Sequence, residues 1–321
     1  MLLSLVLQLT ATADATLSAE PGRAAQGLFL RWIEQRDPAL SVALHDSSEV
    51  RPYTASGLLP AGRYARTSEV RAGGAYWLRF TTLNEPLSRL LLESAEGLPG
   101  TQVDLGGALL IVQSVASESA AHPWAGRSSY NDLAQAHFLS VANPPRRVAF
   151  DFASPTAFHH TVPDSSATGS GLQHGNDQPG TGNRQLETGN RQPVTSTRQL
   201  TVPLPLPELV FGSLLTRWNA FAPLTLPEEV RRYAQECLAI SRYRLQSQVV
   251  RFGQAMSVGF TGQCQYTALV WDPYWLRAIS LLAAYAFYSG VGLRTTVGMG
   301  QVHPQMSRIR QIQRLSNLCN L

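Results

Sequence analysis

Residues 272–302 read DPYWLRAISLLAAYAFYSGVGLRTTVGMGQV. Asp272 is a helix-capping residue, and Pro273 suits a first helical turn, so 272–288 is expected to be a helix. Thr295–Val302 is expected to be a strand. Between them stand Gly290, Gly292, Arg294, Thr295, Thr296, Gly298 and Gly300. A dinucleotide fold needs a strand, then glycines, then a helix, and here that order is reversed. A phosphate-binding loop of the Walker type needs a lysine, and the chain has none. What remains is a loop whose backbone can approach another backbone closely, because glycine has no side chain. Arg294 and the hydroxyls of Thr295 and Thr296 suit phosphate oxygens.

Working outward, the second half continues the pattern. Arg147–Phe152 alternates as a strand, with Val148, Phe150 and Phe152 on one face. Leu209–Phe221 has helical spacing, and Tyr243–Val250 and Met256–Val270 read as strands. The first half repeats the order: strand Leu2–Thr10, helix Ala24–Ile33, strands Pro52–Leu58 and Tyr76–Leu83. A helix over Asn84–Ser94 with Asn84 as N-cap and a strand over Ala108–Val115 complete it. Each half is thus β-α-β-β-α-β. The expected fold class is α+β, two tandem ferredoxin-like (RRM-like) domains with antiparallel sheets, over 1–144 and 145–321. The open sheet face of such a domain is a platform for single-stranded RNA. Residues 159–200 interrupt the pattern. They are rich in Ser, Thr, Gly, Asn and Gln and hold a degenerate seven-residue repeat, TGNRQLE, TGNRQPV, TSTRQL, over 181–200. With about one apolar residue per unit this is no coiled coil, and a disordered insertion is expected.

All 26 basic residues of the 321-residue chain are arginine. Lysine Schiff-base chemistry is therefore excluded, and every basic phosphate contact must come from a guanidinium. Residues 211–321 carry 11 arginines against four acids, a net of +7, while the rest of the chain is slightly acidic. The C-terminal third is the candidate polyanion surface. Arg231 and Arg232, together with Arg242 and Arg244 on one face of a strand and Arg251 beyond them, are the candidate RNA contacts. Cys237, Cys264 and Cys319 are odd in number and lack C-x-x-C spacing, and His45, Asp46 and Glu49 form no familiar ligand set. Neither a metal nor a cofactor is expected. The first basic residue is Arg23, too late for a secretory leader, and no run reaches the ~20 apolar residues of a span. The expected location is cytoplasmic, without membrane contact.

The segment SGVGLRTTVGMGQ resembles the C-terminal signature of the CRISPR-associated endoribonucleases that process CRISPR repeat RNA. Further matches follow in order: Pro21-Gly22, Leu44-His45, Pro52-Tyr53-Thr54-Ala55-Ser56, Phe152 to Thr156, Pro207 to Phe211, Arg217-Trp218-Asn219, and Gly259-Phe260-Thr261-Gly262. The resemblance implies metal-independent cleavage that leaves a 2′,3′-cyclic phosphate and a 5′-hydroxyl, with no cofactor. It places the catalytic histidine at His45 and an accompanying basic residue at Arg51. It implies CRISPR repeat RNA as partner, with other CRISPR effector proteins as further candidates, and a monomer or a homodimer. One departure stands out: some members carry a tyrosine on the first helix where this chain has Leu30. The alternative reading is a repeat-RNA-binding protein that does not cleave, or an effector-complex subunit.

Overall fold

The structure is a computed structural model and describes residues 1–17, 21–46, 50–61, 69–163, 197–252 and 255–305. The N-terminal elements are β1 (Leu2–Ala11), β2 (Ala15–Thr16), α1 (Pro21–Arg36), α2 (Pro38–Asp46), β3 (Tyr53–Ala55), β4 (Leu59–Pro60), β5 (Glu69–Val70) and β6 (Ala75–Thr82). They continue with α3 (Glu85–Ala95), β7 (Gln102–Leu105), β8 (Ala108–Ala116), β9 (Gly126–Ser128) and α4 (Tyr130–Leu133), which runs into a π-helical turn at Ala134–Phe138. The C-terminal elements are β10 (Arg147–Thr156), β11 (Phe158–Pro163), β12 (Thr197–Val202), α5 (Pro207–Phe221), α6 (Glu229–Cys237), β13 (Leu238–Phe252), β14 (Ala255–Ala268), α7 (Pro273–Ser289) and β15 (Val302–Pro304).

The first sheet has the order β3-β6-β1-β8-β7, and the second β13-β14-β10-β15. Leaving out β7, both place their four principal strands in the order second, third, first, fourth, the antiparallel ferredoxin-like arrangement. The expected fold class holds. Its cause is visible in β1: Leu3, Leu5, Leu7 and Leu9 point to one side, where α1 and α3 supply Leu28, Phe29, Ile33, Leu87 and Leu91. In the second sheet Phe150, Phe152 and Tyr266 pack against Phe211, Leu214 and Trp218 of α5 and Ile279 and Leu282 of α7. The caps read from sequence are in place. Asn84 Oδ1 accepts from the Leu87 N–H at 3.0 Å, and Asp272 Oδ1 accepts from Tyr274 at 2.9 Å.

Several expectations change. Residues 295–302 are not one strand: Thr295–Val297 is a 3-10 turn, and only Val302–Pro304 pairs, along β10. Positive φ at Gly298 and Gly300 is incompatible with a ladder. The stretch Pro52–Leu58 pairs only over Tyr53–Ala55. The ends of the 159–200 insertion belong to a hairpin, because β11 and β12 pair from Phe158↔Val202 to Pro163↔Thr197. The repeat at 181–194 lies outside the described residues.

The far face of the first sheet is not open. Val6, Trp77 and Ala116 are covered by Trp124 and Ala125 from the same domain and by Ala153 of β10, with Phe287 of α7 alongside. The first-domain RNA platform expected from the fold type is therefore the inter-domain interface. The reason is in β1 itself, which carries Val6 on the face meant for solvent. Burying Trp124, which is 1 % exposed at this contact, removes enough apolar surface from water to contribute about 2–3 kcal/mol.

Candidate nucleic-acid interface

The glycine loop is built by tight backbone packing between both domains. α7 ends where Gly290 adopts φ 65° and donates its N–H to Ala286 O at 3.0 Å. Gly292, Arg294, Gly298 and Gly300 follow at φ 78°, 54°, 92° and 68°. Most amides of the loop are used to hold it. Val291 donates to Gly300 O, Leu293 to Ala157 O, and Gly300 to Pro155 O, at 2.9–3.0 Å. Gly292 donates to Ser213 Oγ, and Gln301 to Ser154 Oγ, both at 2.9 Å. Gly298 reaches across to the other domain and donates to Ala55 O at 3.0 Å. A Cβ at Gly292 would lie 2.4 Å from Ala157 O, and one at Gly300 would lie 2.2 Å from Val291 O. Gly22 of α1 faces the loop just as closely, since its Cβ would be 1.9 Å from Val297 O. The close approach read from the glycines is therefore one of protein backbone to protein backbone.

The loop presents only part of its polar equipment to solvent. Thr295 is 2 % exposed, so its hydroxyl is turned inward, while Thr296 is half-buried. Arg294 is exposed, and its guanidinium lies 4.1 Å from the Phe252 ring centroid. Phe252 and Val250, at the tip of the long β13–β14 hairpin, pack with Met299 beneath the loop. Arg217 of α5 donates to Gly292 O at 3.0 Å and supports the loop from the other side.

The remaining arginines fall into three groups. Arg231 borders a groove of about 230 Å³ together with Phe158, His159, Glu208, Gly212 and Gly292, so it neighbours the loop. Its Nε is 3.7 Å from Glu228. Arg232 turns the other way, 3.7 Å from Glu236, and lines a separate groove with Tyr233 and Trp275. Arg242 and Arg244 are exposed opposite Gln265 and Gln263, at the end of β13 remote from Phe252. Eight residues of strand separate Arg244 from Phe252, about 26 Å at 3.3 Å per residue. Arg294 and the Arg242–Arg244 pair thus mark two ends of one surface and do not touch. Arg251, exposed next to Phe252, belongs to the Arg294 end.

On the N-terminal side, His45 is the penultimate residue of α2, and its side chain lies outside the described residues. Residues 47–49 also lie outside them. Arg51 is half-buried two residues before β3. β3 is anchored from α1, where Gln26 Nε2 donates to Tyr53 Oη at 3.0 Å. It is this strand whose Ala55 O receives the Gly298 N–H. The segment carrying His45 and Arg51 therefore ends on the glycine loop. Leu30, the position of the absent tyrosine, is half-buried against the α1 core, with exposed Arg31 beside it.

Sequence reasoning missed the polar centre of the inter-domain contact. Arg79 of β6 is 1 % exposed, and Gln301 after the loop is equally buried. Burial pulls the Arg79 pKa down to about 9, opposed in part by Tyr288. His122 and His303 flank this cluster, and burial followed by the Arg79 charge lowers both pKa values. The only signal in the sequence is a cation in the strand AYWLRFTT, which is otherwise free of charge.

Among the described residues no group of three His, Cys, Asp or Glu is placed to hold a metal, and no helix is long and apolar enough to cross a membrane.

Residues 150–302 match the model of the CRISPR-associated endoribonuclease Cas6, and residues 1–135 match the CRISPR Cas6 N-terminal domain. The chain belongs to the Cas6 family. It is similar to a Cas6 solved as a product complex, with 26 % identity, a TM-score of 0.70, and 95 % of this chain and 100 % of that one covered. A second Cas6 product complex shares 29 % identity over 95 % and 99 % of the two chains, with a TM-score of 0.66. Thermus thermophilus Cas6 shares 25 % identity over 95 % and 98 %, with a TM-score of 0.62. No curated protein matches this chain. This Cas6-family chain is an RNA-cleaving endoribonuclease of CRISPR repeat-RNA processing.

Proposed function

We propose that this Cas6-family chain, with domains over 1–144 and 145–321, cuts CRISPR repeat RNA without a metal. A ribose 2′-hydroxyl loses its proton and attacks the adjacent phosphorus. The P–O5′ bond breaks, and the departing 5′-oxygen gains a proton. The products are a 2′,3′-cyclic phosphate and a 5′-hydroxyl. His45 handles the proton traffic, because imidazole titrates near neutrality. Arg51 stabilises the charge growing on the phosphorane and cannot serve as base, since a guanidinium stays protonated. Arg294, Thr296, Arg251 and Arg231 hold RNA near the glycine loop, and Arg242 and Arg244 hold a more distant part of the same strand. Gly290, Gly292, Gly298 and Gly300 give the loop its shape, and Thr295 braces it from within. Arg232, paired with Glu236 and facing away, contributes least.

The observation that carries this reading is the bond from Gly298 N–H to Ala55 O, which sets the RNA-holding loop beside the strand entered from His45 and Arg51. The test is cleavage of the cognate repeat RNA in EDTA. The expected product ends in a 2′,3′-cyclic phosphate. His45→Ala is expected to lower the rate by about 10²–10⁴-fold, the contribution of a positioned proton-transfer group, with binding retained. Full activity in that variant overturns the role of His45. Tight binding without cleavage by the unaltered protein supports the RNA-holding alternative, which the leucine at position 30 favours.

A further inference from the structure

Arg79 lies at the centre of the contact between the two domains. Its Nε donates to Ser4 Oγ at 2.8 Å and to Trp124 O at 3.2 Å, both in its own domain. Its Nη1 donates to Gln301 Oε1 at 2.8 Å, and its Nη2 to Phe287 O, both in the other domain. The guanidinium also lies 4.5 Å from the Phe287 ring centroid and 5.1 Å from that of Trp124. Among the described residues, none of these partners is a carboxylate. A buried cation held only by neutral acceptors is costly, and its removal in favour of apolar packing would ordinarily be tolerated.

The positions of the two far partners explain what the cation does. Phe287 O is in the last turn of α7, where orphan carbonyls collect negative charge. Gln301 is the first residue after Gly300. One guanidinium therefore pins both ends of the glycine loop. Gln301 passes the restraint on, because its Nε2 donates to Thr54 Oγ1 of β3 at 3.3 Å. Thr54 Oγ1 in turn bonds Thr81 Oγ1 at 2.7 Å, and the Arg79 N–H donates to Ser56 Oγ at 2.9 Å. The two loop ends, β3 and β6 are thus locked into one network.

We infer that Arg79 is a positioning residue, whose fork fixes the glycine loop against the strand that follows His45 and Arg51, so that RNA held by the loop meets those groups in cleavable register. This rests on the cleavage reading above. The contacts demand a planar fork rather than a point charge. Arg79→Met keeps the length of the side chain and removes the fork, and Arg79→Lys keeps the charge.

The experiment measures, for both variants, RNA affinity, cleavage rate at saturating repeat RNA, and amide hydrogen exchange at 298–301. For Arg79→Met the rate is expected to fall about 10–100-fold, as for a small misplacement of reacting groups, while Kd stays within about threefold. Arg79→Lys is expected to stay at least about tenfold down, because an ammonium cannot reproduce the fork. A folded Arg79→Met with an unchanged rate, or full rescue by lysine, overturns the inference. Should Arg79→Met fail to fold, Gln301→Met decides instead: a clear loss of rate at saturation supports the latch, and an unchanged rate overturns it. Should the unaltered protein cleave no repeat, the cleavage reading fails by itself. The latch then stands or falls on faster exchange of the Gly298 and Gly300 amides in Arg79→Met.

Discussion

Arg294 holds a left-handed conformation, with φ 54° and ψ 36°, that its neighbours in the loop reach as glycines. A side chain there costs on the order of 1–3 kcal/mol relative to relaxed backbone. The cation–π contact with Phe252 returns about 0.5–1 kcal/mol at an exposed site, so packing alone does not account for an arginine here. We propose that binding of an RNA phosphate does. Arg294→Gly is therefore expected to change stability and affinity independently. Its melting temperature should hold or rise, while RNA affinity falls about tenfold, the worth of one charge-assisted contact. Calorimetry and a binding titration on one preparation check this. A drop in melting temperature with unchanged affinity would make Arg294 a structural residue.

At the scale of elements, what was legible and what was not divides along a physical line. Helices with a strong cap at their start, α3 behind Asn84 and α7 behind Asp272, were readable because a local hydrogen bond fixes that end. The stretch 295–302 reads as a strand, yet tertiary packing decides it: Gly298 and Gly300 answer to Ala55, Gly22 and Val291, which no local window contains. α2 escaped notice because its nine residues bury little, Leu44 being its one wholly buried apolar side chain among those described. The insertion was readable by composition, but its ends were not. The β11–β12 pairing draws 158–163 and 197–202 into a hairpin whose Phe158 joins the C-terminal core. Replacing 164–196 with a short turn is therefore expected to leave the melting temperature and the cleavage rate nearly unchanged. Deleting 160–198 removes four of the six residues of β11 and two of the six of β12, breaks the hairpin, and should lower stability. Equal behaviour of the two deletions, read by thermal melts and a cleavage assay, would show that the hairpin does not matter.

At the scale of the whole molecule, the candidate site depends on how two domains meet, and that was the least legible feature. Composition placed the positive charge in the C-terminal third, but nothing local marked Arg79, Trp124 and Gln301 as one cluster, since they are brought together only by docking. The histidines around this cluster tie docking to pH. The His122 ring lies tilted 5.1 Å from that of Trp77, and His303 lies 5.1 Å from Trp124, with its Nε2 3.3 Å from Pro123 O. Burial, and then the Arg79 charge, hold both below the ordinary value of 6.5; for His303 the Pro123 and Pro304 carbonyls and Asp151 oppose the shift. The unfolded chain thus binds protons more readily than the folded one as pH falls through 6.5. Their contribution to stability is complete above that pH and is lost progressively on acidification toward the folded-state values. Protonation also sets new positive charge against Arg79, so the inter-domain contact loosens first. The melting temperature is expected to fall between pH 7.5 and pH 5.5. The His122→Gln, His303→Gln double variant, which cannot take up these protons, should show a flatter profile over the same range. Carboxylates titrate alike in both proteins and cancel in the difference, so parallel profiles would show that the two histidines do not govern the contact.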